Sequence, residues 1–285
     1  MPELPEVETI RLGLEPYVVG RTIIDAKAYH PRVARKSPAG LDPLIGQEIY
    51  GLARRGKYMW FLLSDMALVA HLGMSGQFRI GLENHPHRRA ALFLDDGTRI
   101  DFIDQRTFGH LLPDQLVDTT DGGPGGYGVN DAVIPQSVAH IGRDLLDPLF
   151  DVKKVARILK TKSTEIKRAL LDQRVASGIG NIYADEALWQ ARTHGKRDTS
   201  RMSITKITEV YEAAQDVMHR AVDVGGTSFD ELYVNVKGES GYFERSLNVY
   251  GKTGLPCPRC SRPIRRISFM GRSSHICSHC QRFRG

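Results

Sequence analysis

Between residues 22 and 105 the apolar side chains come in short, dense stretches rich in β-branched and aromatic residues, at 47–63, 66–80 and 89–104. That texture predicts strands. Asp96-Gly97 falls inside the third stretch and predicts a tight turn that folds it into a hairpin. Elsewhere the spacing is helical. Residues 5–15 place Val7, Ile10 and Leu14 on one face, with Pro5 suited to the first helical position and Glu6 and Glu8 at the positive end. Pro16 is expected to stop this helix. Further helices are predicted at 152–160, 164–173, 183–193 and 203–224. The last has Ser203 as its N-cap, repeats apolar residues from Ile204 to Ala221, and ends at Gly225-Gly226. Residues 118–128, DTTDGGPGGYG, read as loop or hinge. The expected class is α+β: a β-sandwich or flattened barrel over 1–118, a hinge at 119–136, a helical domain at 137–246 and a terminal module at 247–285.

A chain of 285 residues with 41% hydrophobic and 25% charged residues is long enough for two globular cores. No run of about 18 apolar residues is present, so no membrane span is expected. MPELPEVETI lacks the basic and apolar regions of a secretory signal, which points to the cytoplasm. The net charge of +6 is unevenly spread. Residues 251–285 hold eight Lys or Arg and no acid, leaving the other 250 residues at a formal −2. Such a basic tail is the footprint of a phosphate-binding surface, or else a solvated charged tail.

The tail also contains all four cysteines. Cys257 and Cys260 form one C-x2-C pair, and after sixteen residues Cys277 and Cys280 form another. Two residues between thiolates let a tight knuckle aim both sulfurs at one ion, and a hairpin brings the second pair opposite. The spacing predicts a structural four-cysteine zinc ribbon with no open coordination position. Two disulfides are the alternative, and nothing here points to an oxidising compartment. His275 and His279 are read as bystanders.

Seven motifs then fall in one order: MPELPEVET at the start, RRGKY at 54–58, HLGMSG at 71–76, DQRTFG at 104–109, GIGNIYADE at 178–186, GYFERSLNVYG at 241–251 and the cysteine ribbon. Together they resemble the formamidopyrimidine-DNA glycosylase family over nearly the whole chain. The resemblance implies a β-sandwich N-terminal domain, a helix-two-turn-helix domain and a zinc finger, acting as a monomer on double-stranded DNA with oxidised bases. It also implies a repair role at the nucleoid.

The residue chemistry fits that implication. Removal of Met1 would leave Pro2 with an exposed secondary amine, partly neutral in the cell, that can attack a sugar C1′ and form an iminium ion. Glu3 is implied as the acid/base beside it and Glu6 as a supporting carboxylate, with surface ion pairs as the alternative. Lys57 is implied to meet the phosphate or lesion and to take part in proton transfer during β-elimination. An enzyme that works on a base must take it out of the stack and fill the gap. Met74 and Phe108 are implied as wedges and Arg106 as the donor to the orphaned partner base. His87 resembles a DNA contact. Asn181, in Gly178-Ile-Gly-Asn181, and Lys167 on the preceding helix are read as phosphate contacts. Arg272 matches an arginine of the family's zinc finger and is implied to grip phosphates and assist δ-elimination. Tyr242 and Phe243 correspond to a loop over the flipped base.

The chain departs from the family in two places. D-P-R-R-F-G appears as Asp104-Gln-Arg-Thr-Phe-Gly109, and L-G-P-E-P-L as Ile141-Gly-Arg-Asp-Leu-Leu146. The first bears on loop rigidity and the second on hinge stiffness. Two other readings remain: an endonuclease VIII-type enzyme acting on oxidised pyrimidines, and a protein that binds damaged DNA without cutting it. PELPEVE and RTF favour purines. The joint presence of Pro2, Glu3, Glu6 and Lys57 favours an enzyme.

Overall fold

The computed structural model describes residues 2–82, 84–226, 236 and 246–283; Tyr242 and Phe243 lie outside them. The chain forms two compact units, Met1–Ile141 with Val222–Glu244, and Gly142–Ala221 with Arg245–Gly285.

The first unit opens with helix α1 (Leu4–Val18). Pro16 does not stop it. A proline this close to the C-terminus removes only its bond to the Leu12 carbonyl, and Leu12 is exposed, so one further turn closes with Val19 N–H on the Glu15 carbonyl. Nine strands follow: β1 (Ile23–Ala28), β2 (Ile49–Arg55), β3 (Tyr58–Leu63), β4 (Met66–His71), β5 (Gly76–Ile80), β6 (Arg88–Leu94), β7 (Arg99–Asp104), β8 (His110–Asp118) and β9 (Val133–Pro135). They pair antiparallel in two sheets, ordered β1-β6-β7-β5 and β2-β3-β4-β8-β9. The stretch 66–80 therefore holds two strands. Gly73 and Gly76 break it, and its halves enter different sheets. The Asp96-Gly97 hairpin forms as expected, with Gly97 at φ +85° and Leu94 N–H bonded to the Thr98 carbonyl.

Both sheets and α1 share one core that includes Leu14, Leu52, Met59, Phe61, Phe78, Phe102 and Leu111. In β3 the alternate residue Trp60 turns to the opposite face, where Ala53, Val69, Ile134, Val138 and Ile141 surround it. Strand β3 is thus buried on both faces, which explains its unbroken apolar run YMWFLL. The covering layer on that second face is the segment expected as a hinge. Strand β9 pairs with β8, Tyr127 exchanges backbone bonds with Arg54, and no Cβ would fit at Gly125 or Gly126. The glycines of 119–136 allow close packing on the sheet, and the unit continues to Ile141. Residues 222–226 and Val236 also belong here; Val236 joins the core and sits where a side chain on Gly13 would clash.

The second unit holds helices α2 (Val152–Lys160), α3 (Ile166–Leu171), α4 (Asn181–Gln190) and α5 (Ile204–Asp223), whose last two residues belong to the first unit, and then the hairpin β10 (Arg265–Phe269) and β11 (Arg272–Ile276). Ser203 Oγ accepts from Lys206 N–H at 3.1 Å, the expected cap, and Gly225 and Gly226 end α5 at φ +79°. No helix among the described residues is long and apolar enough to cross a membrane.

Candidate active site and nucleic-acid interface

Pro2 and Glu3 lead directly into α1. Glu6 accepts the Glu3 backbone N–H at 2.9 Å, and the reciprocal bond closes a capping box. This fixes the direction in which the chain enters the helix, and hence the place of Pro2. Glu3 and Glu6 are both buried, and a side chain on Gly226 would crowd the Glu6 carboxylate. Pro2 is buried in the full chain, where its nitrogen is the peptide nitrogen joined to Met1, so no exposed amine exists until Met1 is removed.

One turn further on, Glu8 is buried between two arginines, at 2.7 Å from Arg54 and 3.0 Å from Arg11. Both guanidiniums also lie near the Tyr127 ring. The basic stretch before β3 is therefore not a uniform phosphate face. Arg54 and Arg55 are buried, and Lys57 alone of the three sits half-exposed, in the β2–β3 turn.

The second constellation is built from two loops. Met74 is 37% exposed and Phe108 52% exposed, high values for large apolar side chains. Arg106 is exposed and approaches Met74 Sδ at 3.9 Å. The buried carboxylate of Asp104 ties the loops together. It accepts Ser75 Oγ at 2.5 Å and Arg106 N–H at 3.2 Å on one oxygen, and Gly109 N–H at 2.7 Å on the other. Gly73 lies at φ +62°, where an added Cβ would fall 2.5 Å from Gly109 N, so the two backbones nearly touch. Arg35 braces the same loop by donating to the Phe108 and Gly109 carbonyls, each at 2.9 Å.

Behind the loops, His71 and His110 stack at 5.2 Å. Burial, together with Lys36, Lys57 and Arg35, lowers His71 to about 4. Burial with Lys36, His71 and Arg35 lowers His110 to about 3. Both rings are neutral at pH 7, and His71 Nδ1 accepts the Gly73 N–H at 3.2 Å. His87, half-buried before β6, takes a bond from Arg89 at 3.2 Å, and its carbonyl receives Asp104 N–H.

In the second unit, one expected contact is overturned. Lys167 is not presented to phosphate: it is fully buried, its ammonium 2.6 Å from Asp185, 2.9 Å from Ser274 Oγ and over the Phe269 ring. It locks α3 and α4 to the hairpin. Asn181 acts in the same direction, donating to the Ser273 carbonyl at 2.7 Å beside Arg272. Arg272 itself is exposed and follows Met270 and Gly271, both at positive φ, at the hairpin tip. Glu186, which the sequence reading passed over, accepts the backbone N–H groups of Asn248, Val249 and Tyr250 and anchors the start of the terminal module.

The four cysteine sulfurs lie within 4.8 Å of one another, with Cys260 and Cys277 at 3.5 Å and Cys257 and Cys280 at 3.9 Å. Tetrahedral zinc with four bonds of about 2.3 Å needs sulfurs about 3.8 Å apart, so the donor set fits one structural zinc. Burial pushes the Cys257 thiol up, but the Trp189 indole N–H at 3.4 Å and the Arg259 and Cys260 backbone N–H groups bring it down to about 6.

Comparison with known proteins agrees along the length of the chain. Residues 1–111 match the formamidopyrimidine-DNA glycosylase N-terminal domain, 141–232 its H2TH domain, and 254–282 a zinc finger found in FPG and IleRS. The formamidopyrimidine-DNA glycosylase of Mycobacteroides abscessus is 54% identical, with 99% of this chain and 98% of that protein covered. That of Corynebacterium efficiens is 49% identical over the whole of both. Among solved structures, the MutM (Fpg) protein of Thermus thermophilus superposes with a TM-score of 0.82 at 37% identity, covering 98% of each chain. Lactococcus lactis Fpg in complex with DNA containing an abasic site gives 0.81 at 30% identity, covering 99% of this chain and 100% of that one. With three successive domains matched and half the residues shared with full-length relatives, this chain belongs to the formamidopyrimidine-DNA glycosylase family.

Proposed function

We propose that the protein is a bifunctional DNA glycosylase and abasic-site lyase of base excision repair, acting as a monomer on oxidised purines in duplex DNA. The capping box that fixes Pro2 and Glu3 at the start of α1 is the observation that carries this reading. After loss of Met1, the Pro2 amine attacks C1′ of the damaged nucleotide and the base departs. Glu3 donates a proton to the ring oxygen as the sugar opens, leaving an iminium on the proline nitrogen. The iminium draws electrons from C2′; loss of that proton expels the 3′ phosphate, and a second elimination expels the 5′ phosphate. Glu6 keeps the nucleophile in line. Lys57 and Arg272 are assigned to the flanking phosphates, with Arg272 assisting the second elimination, and His87 and Asn181 to the backbone. Met74 and Phe108 fill the vacated stack, and Arg106 satisfies the orphaned base. The zinc held by Cys257, Cys260, Cys277 and Cys280 is structural and keeps the Arg272 hairpin in shape. Lesions in chromosomal DNA place the enzyme at the nucleoid. A point mutant of Lactococcus lactis Fpg has been solved on DNA containing Fapy-dG, in keeping with a purine substrate.

Borohydride trapping on lesion-bearing duplexes tests this. A covalent adduct on 8-oxoguanine DNA, lost in Pro2→Gly, is expected, together with a mass for the active protein that lacks Met1. Faster excision of thymine glycol than of 8-oxoguanine would move the enzyme to the endonuclease VIII type. No adduct with any lesion would leave only a DNA-binding protein.

A further inference from the structure

Four arginines converge where no substrate contact is assigned. Arg192 and Arg197 follow α4, Arg259 lies inside the first cysteine knuckle and Arg282 just past the second; together they line a cavity of about 540 Å³ that reaches Cys260 and Cys280. Among the described residues none of the four is ion-paired to a carboxylate. Arg259 is held in place: its guanidinium stacks 3.8 Å from the Trp189 ring centre and donates to the Trp189 and Gln190 carbonyls. Arg282 rests on His279 Nδ1 at 3.3 Å. None of these partners is a carboxylate, so they orient the guanidiniums without offsetting their charge.

Arg192 adds an independent observation. It occupies the position after the α4 C-cap at φ +51°, while Thr193 N–H reaches back to the Leu188 carbonyl. That is the site of a Schellman motif, where glycine is the usual residue and an L side chain is strained. An arginine stands there despite the strain, and it lines the cavity. With zinc bound, the four thiolates give the knuckle a formal charge of −2, while the arginines supply +4. A surplus of about two positive charges then faces a space of the size that holds a small molecule.

We infer that this cavity is a second phosphate-binding site, distinct from the hairpin tip. Guanidinium forks match phosphate oxygens in bidentate pairs, which a single lysine does not do. Arg272 begins β11 and Cys277 follows its end, so five residues at about 3.3 Å each separate the tip from the knuckles. The phosphate can come from a second stretch of DNA backbone or from a free polyphosphate. The inference does not depend on the proposed excision chemistry.

The test uses the zinc-loaded full chain and tripolyphosphate as the probe, by calorimetry at low salt. Saturable one-to-one binding is expected. The double variant Arg192→Asn/Arg197→Gln should weaken it by about tenfold or more, with one zinc per chain retained. Asparagine suits the left-handed backbone at 192. Arg282→Gln, made alone, should weaken binding by about threefold. Arg272→Gln should leave it within twofold. Displacement of the probe from the Arg272→Gln protein by an undamaged duplex identifies DNA as the source; failure to displace identifies free phosphate. Absence of saturable binding, or equal affinity in the double variant, overturns the inference.

Discussion

Asp104→Asn isolates what holds the 71–76 and 104–109 loops, which carry the proposed wedge residues. The aspartate is fully buried and offers two oxygens to three donors, one from the 71–76 loop and two from its own. Asparagine keeps one oxygen. If that oxygen stays on Ser75 and Arg106, the amide NH₂ faces the Gly109 N–H, two donors meeting in a space too tight to rearrange. A charge-assisted bond of about 1.5–3 kcal/mol is lost, and a buried donor is left unsatisfied at about 1–3 kcal/mol. Together these cost about 2.5–6 kcal/mol, a large part of the stability of a domain. Urea unfolding reads the first consequence. The second is read with a 2-aminopurine reporter beside the lesion, which brightens when the stack opens. Asp104→Asn should delay opening and lower kcat/KM on intact duplex about tenfold or more. On a lesion opposite a gap, where less stacking is broken, it should recover most of the wild-type rate. A wild-type urea midpoint together with equal losses on both substrates would refute the reasoning.

Three further outcomes follow from the same structure. Lys167→Met strands Asp185 in the interior and should destabilise the second unit by about 3–5 kcal/mol without altering the salt slope of DNA binding; a slope lower by about one with stability intact would return Lys167 to the phosphates. Zinc removal by chelation, or Cys277→Ser, should greatly weaken DNA binding while the circular dichroism of the first unit persists; unchanged affinity after verified zinc loss counts against the ribbon as a contact. His71 and His110 are held at about 4 and 3 against an unfolded value near 6.5. The unfolded chain therefore takes up protons that the native state refuses, so their contribution is complete above pH 6.5 and is lost as pH falls. Between pH 6.5 and 5 each histidine should remove about 1 kcal/mol per pH unit on average, rising toward about 1.4 near pH 5, seen in urea midpoints, and His110→Gln should flatten that slope.

Periodic features were the most legible part of the sequence. Helix α5, with its cap and its glycine stop, follows from apolar spacing alone, and the cysteine pairs announce their metal. The strand-rich stretches were legible as strands, but the change of sheet at Gly73–Gly76 was not, because local pattern carries no record of which sheet a strand joins. The glycines at 118–128 mark a loop, as expected, but its packing against the sheet was hidden for a related reason. Gly and Pro mark irregular backbone, but not whether that backbone swings free or lies flat on Trp60. Lys167 was misplaced because an exposed and a buried lysine look alike in a string. The available signal was Asp185-Glu186 inside the otherwise apolar stretch Ile182–Trp189, since acids there need buried partners. Asp104 stood inside a recognised motif, yet its clamp on Ser75 joins residues 29 positions apart, which spacing does not report.

The near-contact of the Gly73 and Gly109 backbones bears on the thermodynamics of lesion search. A segment that becomes ordered only on DNA surrenders about 1–2 kcal/mol of backbone entropy per residue at the moment of binding. Over residues 105–108 that would rival the few kcal/mol needed to unstack a base. Here the loss is settled when the chain folds, so on the proposed reading each encounter with a base pair meets a probe already in shape. Interrogating many undamaged pairs in succession then carries no repeated ordering penalty.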